Sequence, residues 1–158
     1  MREILLLFAL LFSAGCTAPR IQTTDTDAGA PTVVVDPAWR ENRTRFREQT
    51  VYFELSTANL NAEARPKLAE VADYMKANPV VALRIEGHGD GSGTDEQNLE
   101  LGDRRAEALR KELTRLGVDP ERVETWGCGK RPQTDRGYAP GTPRKWRRAE
   151  FVLLTPPQ

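Results

Sequence analysis

Three observations predict an α/β (α+β) sandwich in which helices cover one face of a mixed β-sheet. The 158-residue chain is 39% hydrophobic and 29% charged, a balance typical of one globular domain. Two amphipathic helical segments alternate with short segments rich in strand-forming residues. The order strand, helix, strand, helix, strand, strand then favours helices packed on one face of the sheet.

The first residues form a separate segment. Ile4 to Phe12 is uniformly apolar, and small residues follow it up to Cys16. This pattern is typical of an export signal and is far shorter than the roughly 20 residues of a membrane-spanning helix. The small residues before Cys16 resemble a bacterial lipobox, although Ser13 stands where Leu is usual. We therefore expect a signal peptide over residues 1–15 and lipidation of Cys16.

The segment after Cys16 has a linker composition. Residues 17–36 are rich in Thr, Pro and small residues and show no regular periodicity. We expect the lipidated cysteine and a flexible linker to occupy residues 16–49, and the folded domain to occupy residues 50–156. Net charge is zero, which argues against a nucleic-acid partner.

Each element of the domain follows from local pattern. Strands are predicted at Val51 to Leu55, Val80 to Glu86, Arg122 to Trp126 and Ala149 to Leu154. The first helix has Pro66 in its first turn and stops at Asn78-Pro79, whereas the second runs from about Asp95 to Leu116 and stops at Gly117. Between the second strand and the second helix lies a loop with four glycines, which brings backbone close to another group.

That loop and helix carry a motif. Asp90, Gly93, Asn98, Leu101, Arg105 and Ala106 match the skeleton D-x-x-G-x-x-x-x-N-x-x-L-x-x-x-R-A. The chain thereby resembles the OmpA-like peptidoglycan-binding domain, over roughly residues 50 to 154, and the OmpA C-terminal-like fold is expected. The resemblance implies non-covalent binding of the diaminopimelate-containing peptide stem of peptidoglycan, with Asp90 and Arg105 contacting the charged end. Opposite charges suit that zwitterion, because a carboxylate fits the fork of arginine.

Further residues are candidates for the rim of the pocket. They are Phe53, Glu54, Gly91, Gly93, Asn98, Leu101 and Arg147. Two positions depart from the family pattern: Gly89 replaces the common Thr or Ala, and Trp146 replaces the usual Asn. We expect these departures to affect the affinity for peptidoglycan more than the fold.

The resemblance also implies a place and partners. We expect an outer-membrane lipoprotein on the periplasmic face that tethers the membrane to the cell wall, with peptidoglycan, membrane lipid and a Tol-type periplasmic protein as partners. An alternative is an accessory subunit that anchors a larger envelope machine to the wall.

An enzyme is the remote alternative. Glu86, His88 and Asp90 alternate as on one strand face and offer metal-ligand chemistry, so a metal-dependent peptidoglycan hydrolase would use His88. His88 is the only histidine, and no HExxH-type helix accompanies it. We therefore expect no catalysis, no cofactor and no metal. With Cys16 lipidated, Cys128 lacks an intramolecular partner, and no structural disulfide is expected.

Overall fold

A computed structural model of the chain describes residues 38–129 and 144–157. Its strands are β1 (Arg40–Asn42), β2 (Val51–Tyr52), β3 (Ala82–Gly87), β4 (Val123–Gly127) and β5 (Arg148–Thr155). Its helices are α1 (Ala64–Ala77) and α2 (Asp95–Arg115), with short 3-10 turns at Arg47–Gln49, Pro120–Arg122 and Arg144–Trp146. None of the helices in these two ranges is long and apolar enough to cross a membrane.

The strands form one mixed sheet. β5 is central, pairing antiparallel with β3 on one side and with both β1 and β2 on the other, while β3 pairs in parallel with β4. Gly87 at the end of β3 stands opposite Gly127 of β4 and Ala149 of β5. The loops that leave β3 and β4 therefore emerge side by side, next to the start of β5.

Both helices pack on one face of this sheet. Leu83 and Ile85 of β3 share a core with Leu68 and Met75 of α1 and with Leu109 of α2. Each of these side chains is fully buried. The helical 3.6-residue period and the strand period of two thus converge on a single apolar layer. This arrangement confirms the predicted fold class.

The second helix approaches the sheet unusually closely at two glycines. A Cβ on Gly102 would lie 2.4 Å from the carbonyl oxygen of Gly87, and a Cβ on Gly87 would lie 2.0 Å from the carbonyl oxygen of Gly102. Because any side chain would collide with backbone, this pair of glycines sets the distance between α2 and the end of β3. That distance determines how the loop after β3 lies relative to the middle of α2.

The opposite face of the sheet is largely polar. Arg84 of β3 pairs with Glu41 at 2.5 Å and with Glu124 at 3.3 Å, and its guanidinium lies 3.7 Å from the Trp126 ring centroid. Glu86, two residues further along β3, accepts two hydrogen bonds from Arg43 at 2.8 Å. A small apolar cluster of Ala82, Val152, Leu154 and Trp39 closes one end.

The structure differs from the sequence-based boundaries at the start of the domain. β1 and the buried Phe46 both precede residue 50, where folded structure was predicted to begin. Phe46 packs edge-on against Tyr74 of α1 and Phe151 of β5, which explains why this charged segment is ordered. The predicted signal peptide, Cys16 and residues 17–36 lie outside the described residues.

The opening strand is also shorter than predicted. It ends at Tyr52, although Phe53 still donates its N–H to the Arg147 carbonyl oxygen at 2.7 Å. Beyond Phe53 the chain turns, Leu55 is 52% exposed, and Ser56 has a φ of 55°. The turn directs the carbonyl oxygens of Glu54 and Thr57 toward Arg105 of α2.

Candidate functional site

Asp90 lies in the loop between β3 and α2 and is almost completely buried. Its Oδ1 accepts hydrogen bonds from the Ser92 N–H at 3.1 Å and the Ser92 hydroxyl at 2.5 Å. Its Oδ2 accepts one from the Ser56 N–H at 2.9 Å. Burial opposes ionisation of Asp90, but these hydrogen bonds outweigh it and hold the pKa of the carboxyl below its ordinary value. Asp90 is therefore a fixed anion at neutral pH.

The glycine-rich loop is held by one buried side chain, that of Asn98. Its Oδ1 accepts from the Gly91 N–H at 2.7 Å, and its Nδ2 donates to the carbonyl oxygens of Ser92 at 2.6 Å and Thr94 at 2.7 Å. Thr94 and Gln97 form a reciprocal capping box at the start of α2. These hydrogen bonds join the loop to the first turn of α2, so the position of the loop depends on the position of the helix.

Arg105 is fully buried in the middle of α2. Its Nε donates to the Thr57 carbonyl oxygen at 2.8 Å, Nη1 to the His88 carbonyl oxygen at 2.7 Å, and Nη2 to the Glu54 carbonyl oxygen at 3.1 Å. Burial lowers the pKa of Arg105 to about 10, against the opposing effect of the Asp90 carboxylate. The guanidinium consequently stays charged and joins the β3 loop to the 54–57 turn.

The structure brings several of the predicted rim residues to this pair of charges. The Phe53 ring centroid lies 5.2 Å from the Arg105 guanidinium carbon, and Phe53 is a core residue with 1% exposure. Arg147 donates through Nε to the Phe53 carbonyl oxygen at 3.0 Å. Glu54 contributes its carbonyl oxygen to Arg105, while the residue itself is exposed.

The other predicted residues shape the loop and helix. Gly91 and Gly93 both have positive φ, 80° and 75°, so they set the course of the loop that presents Asp90. Leu101 is buried one turn before Arg105 on α2.

Three functional contacts escaped the sequence analysis. Ser56 and Ser92 donate to Asp90, and the Thr57 carbonyl oxygen accepts from Arg105. Ser92 could have been found, because a residue two positions after an aspartate commonly closes a local turn onto it. Ser56 and Thr57 carried no such signal, since their partners are 34 and 48 residues away in sequence.

The first departure from the family pattern has a structural counterpart. A Cβ on Gly89 would lie 2.4 Å from Asn98 Oδ1. The missing methyl group therefore provides the space in which the Asn98 side chain holds the loop. The second departure, Trp146, is buried at the end of the last 3-10 turn.

The residues of the remote enzymatic alternative are not brought together as predicted. Asp90 turns toward Ser56 and Arg105, whereas Glu86 and His88 stay on the opposite face of the sheet. There they form a group with Cys128, in which the ligand atoms lie within 4.8 Å of one another. The prediction extends the alternation of strand side chains from Glu86 to Asp90. In the structure β3 ends at Gly87, and the glycine-rich loop that follows interrupts the alternation.

The expectation of an unpaired Cys128 is wrong. Cys128 is disulfide-bonded, and its partner lies outside the described residues.

The fold and the motif that contains Asp90 and Arg105 are shared with one family of domains. Residues 52–146 match the OmpA family, and the chain belongs to that family. The peptidoglycan-associated lipoprotein of Brucella melitensis is 32% identical over 124 residues, which cover 78% of this chain and 74% of the relative.

Solved structures agree with this assignment. The crystal structure of the peptidoglycan-associated lipoprotein from Burkholderia pseudomallei superposes with a TM-score of 0.61 and 34% identity, covering 66% of this chain and 88% of that one. A periplasmic domain of MotB superposes with a TM-score of 0.53 at 17% identity, covering 74% of this chain and 62% of that one. The second likeness concerns the fold alone.

Proposed function

We propose that this protein is an outer-membrane lipoprotein that binds the diaminopimelate-containing peptide stem of peptidoglycan without covalent chemistry and so tethers the membrane to the wall. Acyl chains on Cys16 hold it on the periplasmic face, and in this lipidated state Cys16 cannot pair with Cys128, since the chain has only these two cysteines. Asp90 and Arg105 recognise the stem. A Tol-type periplasmic protein is its further partner. Membership of the OmpA family and the names of the relatives support this role.

The observation that carries the proposal is the fixed pair of opposite charges in one enclosed site. Diaminopimelate ends in an ammonium and a carboxylate on the same carbon, so it needs one anion and one cation near each other. Asp90 receives the ammonium. Arg105 has five N–H groups, of which three are used by the carbonyl oxygens of Glu54, Thr57 and His88. Among the described residues, one N–H on each Nη has no acceptor and remains for the carboxylate, in the forked geometry that arginine favours.

Enclosure of the site has a consequence for access. Arg105 is 0% exposed and Asp90 is 2% exposed, so the stem reaches them only if part of the surrounding backbone moves. We infer that the 54–57 turn is the segment that moves, because Ser56 is hydrogen-bonded to Asp90 and Thr57 to Arg105. The positive φ of Ser56 also strains this turn. Because water is excluded from such a site, the contacts between the charges and the bound ligand are stronger than they would be in solvent.

The proposal is tested by co-sedimentation of the chain from Thr17 onward with purified diaminopimelate-type sacculi. We expect wild-type protein to sediment and Arg105→Lys to remain in solution, because lysine has no forked donor. Arg104→Lys is the matched control, since Arg104 is the neighbouring residue on α2 and pairs only with Glu100 among the contacts described. Circular dichroism checks the fold of each variant.

A soluble tripeptide ending in diaminopimelate should release the wild-type protein from the sacculi, and its lysine-containing counterpart should not. Equal release by both peptides, or sedimentation of Arg105→Lys at the wild-type level, would contradict the assignment of the site.

A further inference from the structure

The first described segment of the chain carries a local positive charge. Arg40 opens β1, and Arg45 and Arg47 follow it on the way to β2. All three side chains are exposed, and we call them the arginine surface. Residues 38–50 hold four arginines against two glutamates, a net charge of +2 in a chain whose net charge is zero.

The charges of the arginine surface are not engaged with carboxylates. Within residues 38–129 and 144–157, none of its three arginines forms an ion pair. Arg43, in the same segment, differs because it pairs with Glu41 at 3.0 Å and with Glu86 at 2.8 Å. Glu41 is also held by Arg84, so the exposed Glu48 is the carboxylate of the segment that opposes the arginine surface. The three arginines therefore keep their charge available for an external anion.

Packing makes this surface part of the rigid domain. The Arg45 guanidinium lies 4.3 Å from the Tyr74 ring centroid of α1 and 5.1 Å from that of Phe46. Phe46 is a core residue with 2% exposure, and it also packs against Phe151 of β5. A guanidinium that stacks on aromatic rings keeps its charge and its N–H donors. Arg45 is therefore presented at a fixed place on the surface.

Arg40 lies at the end of the sheet that is remote from the stem site. It pairs with Thr155, the last residue of β5. The start of β5, at Ala149, pairs with Gly87, where the loop that carries Asp90 begins. Six residues of strand separate Ala149 from Thr155, a distance of roughly 20 Å. A partner bound at Arg40 therefore leaves the Asp90–Arg105 site open.

The arginine surface is also the part of the domain nearest in sequence to the proposed lipid anchor. The 24 bonds between the Cα atoms of Cys16 and Arg40 correspond to about 25–30 Å for a flexible linker. A tether of this length keeps the surface at a high effective concentration near the membrane. Each arginine close to anionic lipid contributes about 1 kcal/mol, or about fivefold in partitioning. Weak charge contacts are therefore sufficient here.

We propose that Arg40, Arg45 and Arg47 dock the domain on the anionic phospholipid surface of the membrane that anchors it, an inference that rests on the acylation of Cys16 in the proposed function. Charge complementarity and the position of the tether select this partner. The docked domain keeps its stem site about 20 Å from Arg40 along β5 and so binds the wall and the membrane together.

Flotation with vesicles measures the charge contacts without the anchor. The chain from Thr17 onward should float with vesicles that contain phosphatidylglycerol and stay behind with phosphatidylcholine alone. Changing all three arginines of the surface to glutamine should weaken partitioning by about 100-fold, whereas Glu48→Gln should strengthen it about fivefold. About 1 M salt should abolish it, because the screening length falls to about 3 Å.

The matched control changes three exposed arginines of α1 and α2 to glutamine, namely Arg65, Arg104 and Arg115. This variant has the same net charge as the triple variant of the arginine surface, and we expect it to float nearly as well as wild type. Circular dichroism checks the fold of both. Equal loss of flotation in the two variants, or flotation with phosphatidylcholine alone, overturns the proposal.

Hydrogen exchange tests docking in the complete lipidated protein. In phosphatidylglycerol vesicles the amides of residues 40–48 should exchange severalfold more slowly than in phosphatidylcholine vesicles, and the loop at Asp90 should be unchanged. The triple variant of the arginine surface should show no such difference between the two lipids. Identical exchange of residues 40–48 in both lipids by wild type also overturns the proposal.

The two assays separate failure of this inference from failure of the proposed function. Mass spectrometry of the lipidated preparation shows whether Cys16 is acylated, and co-sedimentation shows whether the protein binds sacculi. If either is negative, the proposed function fails, while flotation of the unlipidated chain still decides whether the arginine surface binds anionic lipid. If both are positive and no lipid dependence is found, only the docking inference is wrong.

Discussion

Single residues in the site have two properties: they carry a buried charge, and their hydrogen bonds hold the loops together. Asp90 illustrates this, since its oxygens accept from Ser56 and Ser92 on two separate segments. Arg105 does the same with three carbonyl oxygens. A substitution at either position is therefore expected to change both stability and binding.

Asp90→Asn should lower the free energy of unfolding at pH 7 by about 1.5–3 kcal/mol, because hydrogen bonds to a charged acceptor are replaced by a neutral amide. The pKa of Asp90 is lowered in the folded protein, so its contribution is present above the unfolded pKa of about 3.9 and is lost as pH falls through the folded pKa. The difference between variant and wild type should accordingly shrink below about pH 4.

Urea unfolding at pH 7, pH 5 and pH 3 measures this dependence. Asp73→Asn is the control, since Asp73 lies on α1 with its side chain 74% exposed, paired with Lys76. A deficit for Asp90→Asn that is unchanged at pH 3 would show that the carboxylate charge is not the source of its stabilisation.

At the scale of elements, the position of α2 against β3 determines whether the site exists. The loop with Asp90 and the helix with Arg105 are joined by Asn98 and by the cap at Thr94. The backbone contact of Gly87 and Gly102 then fixes the helix against the strand. The site is thus a property of the packing of two elements and belongs to neither alone.

Gly102→Ala should destabilise the protein by about 1–3 kcal/mol, because the new methyl group would lie 2.4 Å from the Gly87 carbonyl oxygen and push α2 outward. We expect it also to weaken sacculus binding, since Arg105 would move with the helix. Thermal unfolding and co-sedimentation provide the two measurements. Lys111→Ala, on an exposed position of α2, should alter stability by less than about 0.5 kcal/mol.

At the scale of the whole molecule, the folded unit extends further toward the N-terminus than the strand and helix pattern indicates. β1 pairs with the end of β5, and Phe46 enters the core between α1 and the sheet. This charged segment also supplies Glu41 and Arg43 to the polar face of the sheet. It is part of the domain, so the predicted linker is shorter than residues 16–49.

Phe46→Ala should lower the free energy of unfolding by about 3–5 kcal/mol, because a 2% exposed aromatic ring is removed from the core. Arg47→Ala, the exposed neighbour, is the control and should be close to neutral. Urea unfolding measures both. If Phe46→Ala were as stable as the control, the domain would begin near residue 50 as the sequence predicts.

The sequence by itself determined the two helices, the order of the elements from β2 onward and the motif that contains Asp90 and Arg105. These depend on local signals: the hydrophobic period, Pro66 in the first turn of the first helix, the stop at Gly117 and the spacing of fixed residues. Local signals survive without tertiary context because the residues that produce them are neighbours along the chain.

Only the tertiary structure decided which distant backbone groups meet. The carbonyl oxygens of Glu54 and Thr57 reach Arg105, Ser56 reaches Asp90, and Cys128 replaces Asp90 beside Glu86 and His88. Phe46 likewise enters the core although its flanking residues are charged. Such contacts join residues far apart in sequence, and they depend on how closely α2 approaches β3 and on where each strand ends, which no local pattern encodes.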